Sequence, residues 1–223
     1  MHGFILSALE RYVLSSQDPR TWARMQQYAG LDEIPLRDVV YSDEDAMALL
    51  EAAAHLNGKP MKVFLEGFGE FLAFPLLARF GAILYPRWRT IDVLRHAEDC
   101  IQKARRQLGL GSGSFHLYCH EAFASTVVIE YVSPRRLCAL AIGLARGIAR
   151  HFREQIEVTE LRCMHRGHES CLLTFRLVNG AVSATAERRV LAGRGVATQK
   201  VAMHVAPGTV PGRRGRRDGE LAS

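Results

Sequence analysis

The hydrophobic period changes once along this chain, and that change constrains the fold more than any other feature. Up to about Leu108 apolar residues recur at helical spacing. Beyond the stretch Gly109-Leu110-Gly111-Ser112-Gly113-Ser114, a flexible break, they alternate or run in short β-branched blocks. Helices are predicted before the break. Phe4, Leu6, Leu9, Val13 and Leu14 predict one over residues 4–15, stopped by Ser16-Gln17-Asp18-Pro19. A second runs through Trp22, Met25 and Tyr28 to Gly30. Asp43 is placed to cap a third, Glu44 to Leu56, which Asn57-Gly58 stops. Pro60 begins a fourth through Val63, Phe64, Phe68, Phe71 and Leu72, a short fifth is expected over 75–82, and Thr90 or Asp92 opens a sixth that ends near Leu108.

After the break, Phe115 to Cys119 and Ser125 to Tyr131 read as strands. Leu137 to Phe152 reads as a strong helix with Leu137, Leu140, Ala141, Leu144, Ile148 and Phe152 along one face. Ile156 to Cys163 and Cys171 to Val178 are two further strands, joined by a glycine-containing loop as an antiparallel hairpin. The expected class is α+β: an N-terminal helical subdomain, then an antiparallel sheet packed with one long helix, all within residues 1–178.

Composition bounds the chemistry. A chain of 223 residues with 48% hydrophobic and 23% charged residues suits one globular domain. No apolar run approaches the ~20 residues of a membrane-spanning helix, and the N-terminus lacks a basic leader, so no membrane insertion and a cytoplasmic location are expected. In that compartment the five cysteines read as thiols or metal ligands rather than disulfides. The net charge of +6 is concentrated: residues 179–223 hold eight basic and three acidic side chains, leaving +1 for the body. A nucleic-acid-binding face on the folded part is therefore not expected. Residues 179–223, rich in Gly, Pro and Arg, read as a disordered basic tail.

Two stretches carry chemistry. Tyr131, Ser133 and Arg135 alternate, so in extended backbone they share one side and offer two hydroxyls and a guanidinium to a carboxylate or phosphate. Cys163, His165, His168 and Cys171 place four soft or imidazole donors within nine residues around a hairpin tip. Cys138, at the start of the long helix, can close on them from the other side, and tetrahedral zinc takes such sulfur and nitrogen donors. The fourth donor is left open between His165 and His168. His55, His116, His120 and His151 read as ordinary residues, and no nucleophile–base pair or carboxylate dyad marks an enzyme.

The Met1-x-Gly3 start, Trp22 with Ala29-Gly30, Tyr41-x-Asp43, Phe68-Gly69-Glu70-Phe71 and Tyr131-Val132-Ser133-Pro134-Arg135 together resemble the haem-nitric oxide/oxygen-binding (H-NOX, HNOB) domain over about residues 1–177. The resemblance implies an H-NOX-like fold and assigns haem propionates to Tyr131, Ser133 and Arg135. It also exposes a departure. The family's iron-bearing histidine falls in this chain on Ile101 or Gln102, with His96 off the face and Cys100 the nearer donor. Gly113-Ser114 stand where the family carries a proline, and Leu140 where some relatives carry an oxygen-binding tyrosine. The three cysteines resemble the family's zinc-binding subset, whose fourth ligand, a histidine, falls here on Glu160. They resemble also the 4-vinyl-reductase domains with their Cys-x7-Cys end.

The function implied is a stand-alone signalling sensor that regulates a separate enzyme, such as a histidine kinase or a cyclic-dinucleotide enzyme. It would act by zinc-thiolate redox chemistry or a non-standard pocket ligand rather than histidine-ligated haem. The alternatives are a zinc-stabilised small-molecule-binding module and a haem-based nitric oxide sensor with an unusual axial ligand.

Overall fold

The computed structural model describes residues 1–15, 17–30, 38–110 and 115–178. The expected tail 179–223 and residues 111–114 of the glycine-serine break lie outside them. Among the described residues the order is α1 (Gly3–Leu14), α2 (Arg20–Tyr28), α3 (Asp43–Leu56), α4 (Met61–Phe80), a 3-10 turn (Gly81–Ile83), α5 (Thr90–Arg95) and α6 (Ala97–Gln107). Then follow β1 (His116–Ala122), β2 (Thr126–Val132), α7 (Cys138–His151), β3 (Ile156–Arg162), a 3-10 turn (Met164–Arg166) and β4 (Cys171–Leu177). The α+β class holds, with helices before the break and strands after it.

Three local expectations change. Ser42, not Asp43, caps α3: its hydroxyl accepts the Asp45 amide at 3.0 Å, and Asp43 becomes the first helical residue. The fourth and fifth expected helices are one, because α4 runs through Pro75 without ending. An interior proline costs about 3 kcal/mol, and the long contact of α4 with α7 outweighs it. Finally, the expected sixth helix breaks at His96, whose backbone (φ −105°, ψ 19°) serves both α5 and α6 while its ring stacks on Trp88 at 4.6 Å. The break turns α6 onto a new line beside β1.

Helices α4 and α7 touch backbone to backbone. A Cβ added at Gly143 would stand 2.1 Å from the Glu66 carbonyl oxygen, and one at Gly69 would stand 2.4 Å from the Leu140 carbonyl oxygen. Only glycine admits that approach. Arg146–Glu66 and Arg150–Glu70 ion pairs, both at 2.6 Å, strap the same two helices along their exposed margin.

The sheet is antiparallel throughout, in the order β1-β2-β4-β3. Alternation aims Val127, Ile129 and Tyr131 of β2, and Cys171, Leu173 and Phe175 of β4, at α7. One core lies among α1–α4 around Leu6, Leu9, Met25, Leu50, Phe64 and Phe68. A second lies between sheet and helices around Ile91, Val127, Ile142, Leu173 and Phe175. Helix α7 serves both. The face expected to be buried is not the one that packs most tightly: Ile142 and Ala145, which lie off it, are buried in the second core, whereas Leu140, Leu144 and Ile148, which lie on it, are only half-buried and line a pocket.

Candidate functional site

Three elements bring three thiols together. Cys138 opens α7, Cys163 ends the β3 side of the hairpin, and Cys171 opens β4. All are buried, and their sulfurs form a compact group. Cys163 is central, with its Sγ 3.7 Å from Cys138 Sγ and 3.7 Å from Cys171 Sγ. A disulfide requires about 2.05 Å. A tetrahedron with sulfur about 2.3 Å from its centre has edges of about 3.8 Å, which the observed spacing matches. The turn carrying Cys163 closes at Gly167, whose φ of +88° needs glycine. The Met164 amide donates to Cys171 Sγ at 3.3 Å, a bond that favours the thiolate. Burial raises the Cys138 thiol well above its ordinary pKa, and its two cysteine neighbours add to the rise. Burial likewise raises Cys171. Three thiolates cannot share this space without a cation among them.

Neither expected histidine joins the group. Among the described residues the metal-capable cluster consists of the three cysteines. His165 is exposed, with Nε2 2.8 Å from the Arg136 carbonyl oxygen. Cys138 Sγ lies 3.9 Å from that same oxygen, so His165 sits one carbonyl away from the thiols. His168 is exposed at the turn, and Glu160 bonds Arg166 at 3.0 Å.

Tyr131, Ser133 and Arg135 lie together on the rim of a pocket. Tyr131 and Ser133 are buried, and Arg135 is half-buried. Burial, opposed by hydrogen bonding to Ser133, lifts the Tyr131 phenol above its ordinary range, so it stays a neutral hydroxyl. Arg136, at φ +51°, makes the left-handed bend that leaves Arg135 at the pocket and delivers Cys138 to the thiols. The backbone register pairs Tyr131 directly with Cys171 across β2 and β4. Pocket and thiol group are thus neighbours on two adjacent strands.

Sequence reasoning quoted Asp43 and Met1 in the motifs but missed their function. Asp43 Oδ2 lies 2.8 Å from Arg135 Nε, and the N-terminal ammonium lies 3.4 Å from Asp43 Oδ1. Burial lowers the pKa of that ammonium despite the nearby carboxylate. The only signal was the Tyr41-x-Asp43 motif itself, which does not say what Asp43 touches.

The pocket has two lobes. The mouth lobe, about 540 Å³, carries the polar triplet on an otherwise mainly apolar lining. A deep lobe of about 190 Å³ is walled almost wholly by apolar groups from α4, α5, α6, α7 and the sheet. The lobes share Leu76, Phe80, Ile101, Ala104, Leu117, Ala141 and Leu144. The α6 wall presents Cys100, Ile101, Ala104 and Arg105. Gln102 instead bonds Glu98 at 2.8 Å. His96 is held on Trp88, outside both lobes.

Comparison with known proteins places this geometry. The family model described as haem-NO-binding matches residues 2–160. The crystal structure of an H-NOX protein from Shewanella oneidensis in the Fe(II)NO ligation state is similar at 25% identity and TM-score 0.73, over 80% of this chain and all of that one. An Fe(II) unliganded H-NOX protein from K. algicida shares the fold at 15% identity and TM-score 0.72, over 82% of this chain and 99% of that one. No curated protein matches the chain.

Proposed function

The chain belongs to the haem-NO-binding family, and from that premise we propose that it is a signalling sensor, not an enzyme, whose output passes to a separate partner such as a histidine kinase or a cyclic-dinucleotide enzyme. Its input is a zinc-thiolate group, coupled to a pocket that takes a non-standard ligand. The observation that carries this reading is the pair of 3.7 Å sulfur spacings around Cys163. Residues 1–178 form the sensor, and residues 179–223 a basic appendage.

Cys138, Cys163 and Cys171 would hold zinc as thiolates. Bound zinc supplies the positive charge that lets three buried thiols ionise together. His165 is the proposed fourth donor, reached by leaving the Arg136 carbonyl. A peroxide is a suitable input. Hydrogen peroxide removes two electrons from the Cys138 and Cys163 thiolates, which form a disulfide, takes up two protons and leaves as two waters. The sulfurs then close from 3.7 Å to about 2.05 Å, and the start of α7 shifts against the hairpin. Because Tyr131 is hydrogen-bonded to the backbone of Leu137, the residue before Cys138, the pocket rim feels that shift.

The haem group of the family fits only in part. The rim triplet and the cavity suit a carboxylate-bearing ligand. The α6 wall offers isoleucine, alanine and a thiol raised in pKa by burial, not an imidazole. No step is therefore assigned to histidine-ligated haem.

The test is metal analysis of the full chain after expression with zinc. About one zinc per chain is expected, with loss on Cys163→Ser and on peroxide treatment. Unchanged metal content in the Cys163→Ser protein, with the fold intact by circular dichroism, would sink the thiol reading.

A further inference from the structure

Walls and rim of the pocket disagree about an iron porphyrin but agree about something simpler. An iron porphyrin is held by an axial imidazole, thiolate, thioether or phenolate. The imidazole on these walls is His2, at the mouth lobe. Its Nδ1 accepts the Phe4 amide at 3.1 Å as the cap of α1, which leaves the ring proton on Nε2. The thiol is Cys100, which lines the deep lobe alone. The Met1 thioether and the Tyr41 and Tyr131 phenols also line the mouth lobe, and burial keeps the Tyr131 phenol protonated.

Resting on the reading that this pocket is a sensing site, the geometry points to a straight-chain aliphatic carboxylate as its ligand. The head binds Arg135, Tyr131 and Ser133, and the tail passes between Ala104 and Ala141 into the deep lobe. Each part follows from shape and chemistry. The rim joins a planar cation to two hydroxyls, a set suited to a carboxylate. Asp43 is a carboxylate that already occupies Arg135, and its half-exposed side chain can turn into water when another arrives. Among the described residues the deep lobe has no charged lining, so it rewards methylenes. The lobes adjoin at Ala104 and Ala141, two small side chains that leave room for a flexible chain.

The test is calorimetric titration of delipidated full-length protein with octanoate, decanoate and dodecanoate, with dodecanol as a probe lacking the anion. Affinity is expected to rise about fourfold per methylene along the carboxylate series. Arg135→Gln should weaken dodecanoate about tenfold or more and leave dodecanol within about twofold. A merely destabilising substitution would weaken both alike. No saturable binding of dodecanoate, no gain with chain length, or equal losses for acid and alcohol would overturn the proposal. So would one-to-one hemin binding with a ligated-iron spectrum that excludes dodecanoate. Zinc content is measured on the same samples: normal zinc without dodecanoate binding sinks the ligand proposal alone, and dodecanoate binding without zinc sinks the thiol reading alone.

Discussion

Arg135 Nε lies 2.8 Å from Asp43 Oδ2, although 92 residues separate them in the chain. The pair ties the first turn of α3 to the bend that precedes α7. Asp43 also receives the N-terminal ammonium, so one carboxylate holds three chain segments at the pocket mouth. Asp43 is half-exposed, so its value to stability is modest, about 1 kcal/mol or less. Asp43→Asn should therefore lower the melting temperature only slightly. It should also tighten dodecanoate binding, because Arg135 loses its resident carboxylate. Weaker binding in this variant would show that Asp43 orients Arg135 rather than competing for it.

The central position of Cys163 orders the cysteine variants. Cys163→Ser should cost the most zinc, Cys138→Ser and Cys171→Ser should also release it, and Cys100→Ser and Cys119→Ser should retain it. Metal analysis and thermal melting of the five proteins check the order.

His165 and His168 are separated by the same assay. His165→Ala should weaken zinc binding by at least about 10- to 100-fold, the loss typical of an outer-shell partner, because it removes a donor. His168→Ala should leave it unchanged. A competition titration with a zinc chelator decides, and equal effects would remove His165 from the site.

The α4–α7 contact predicts a severe effect from one methyl group. Gly143→Ala puts a Cβ 2.1 Å from the Glu66 carbonyl oxygen, which is backbone and cannot swing aside. The helices must separate, at a cost of about 1–3 kcal/mol as in other overpacked cores. Urea denaturation measures it. Gly81→Ala, where a Cβ meets open space, is the control and should change little.

Glu130 gives the sheet a pH dependence. The Ser170 hydroxyl, then His120 and Arg162, hold its carboxyl below the usual carboxylate range, against the opposing effect of burial. A folded-state pKa below the unfolded value of about 4.5 means the contribution is present above that value. It is lost as pH falls through the folded pKa. Melting temperature should therefore fall on acidification below about pH 4.5, and Glu130→Gln should flatten that part of the curve. An identical acid profile in the variant would assign the loss to other carboxylates.

The sequence by itself determined most of the elements and one face of the site. Helical spacing before Gly109 and alternation after it follow from the geometry of local backbone. They place α1–α3, the strands and α7 within a few residues of their observed limits. The alternation of Tyr131, Ser133 and Arg135 is likewise local, and it put all three on one rim. The tertiary structure decided what local rules cannot reach. A separate helix is expected over 75–82, yet contact with α7 carries α4 through Pro75 as one helix. The stretch 90–108 reads as one helix, yet the hold of Trp88 on His96 accompanies its division. The spacing of Cys138, Cys163 and Cys171 suggested a shared centre but could not say whether a histidine completes it. That depends on where a hairpin turn settles against the start of a helix 25 residues away in sequence. The Arg135–Asp43 tie and the Tyr131–Cys171 register are of the same kind: each joins positions far apart along the chain, fixed by packing and strand pairing that no window of sequence contains.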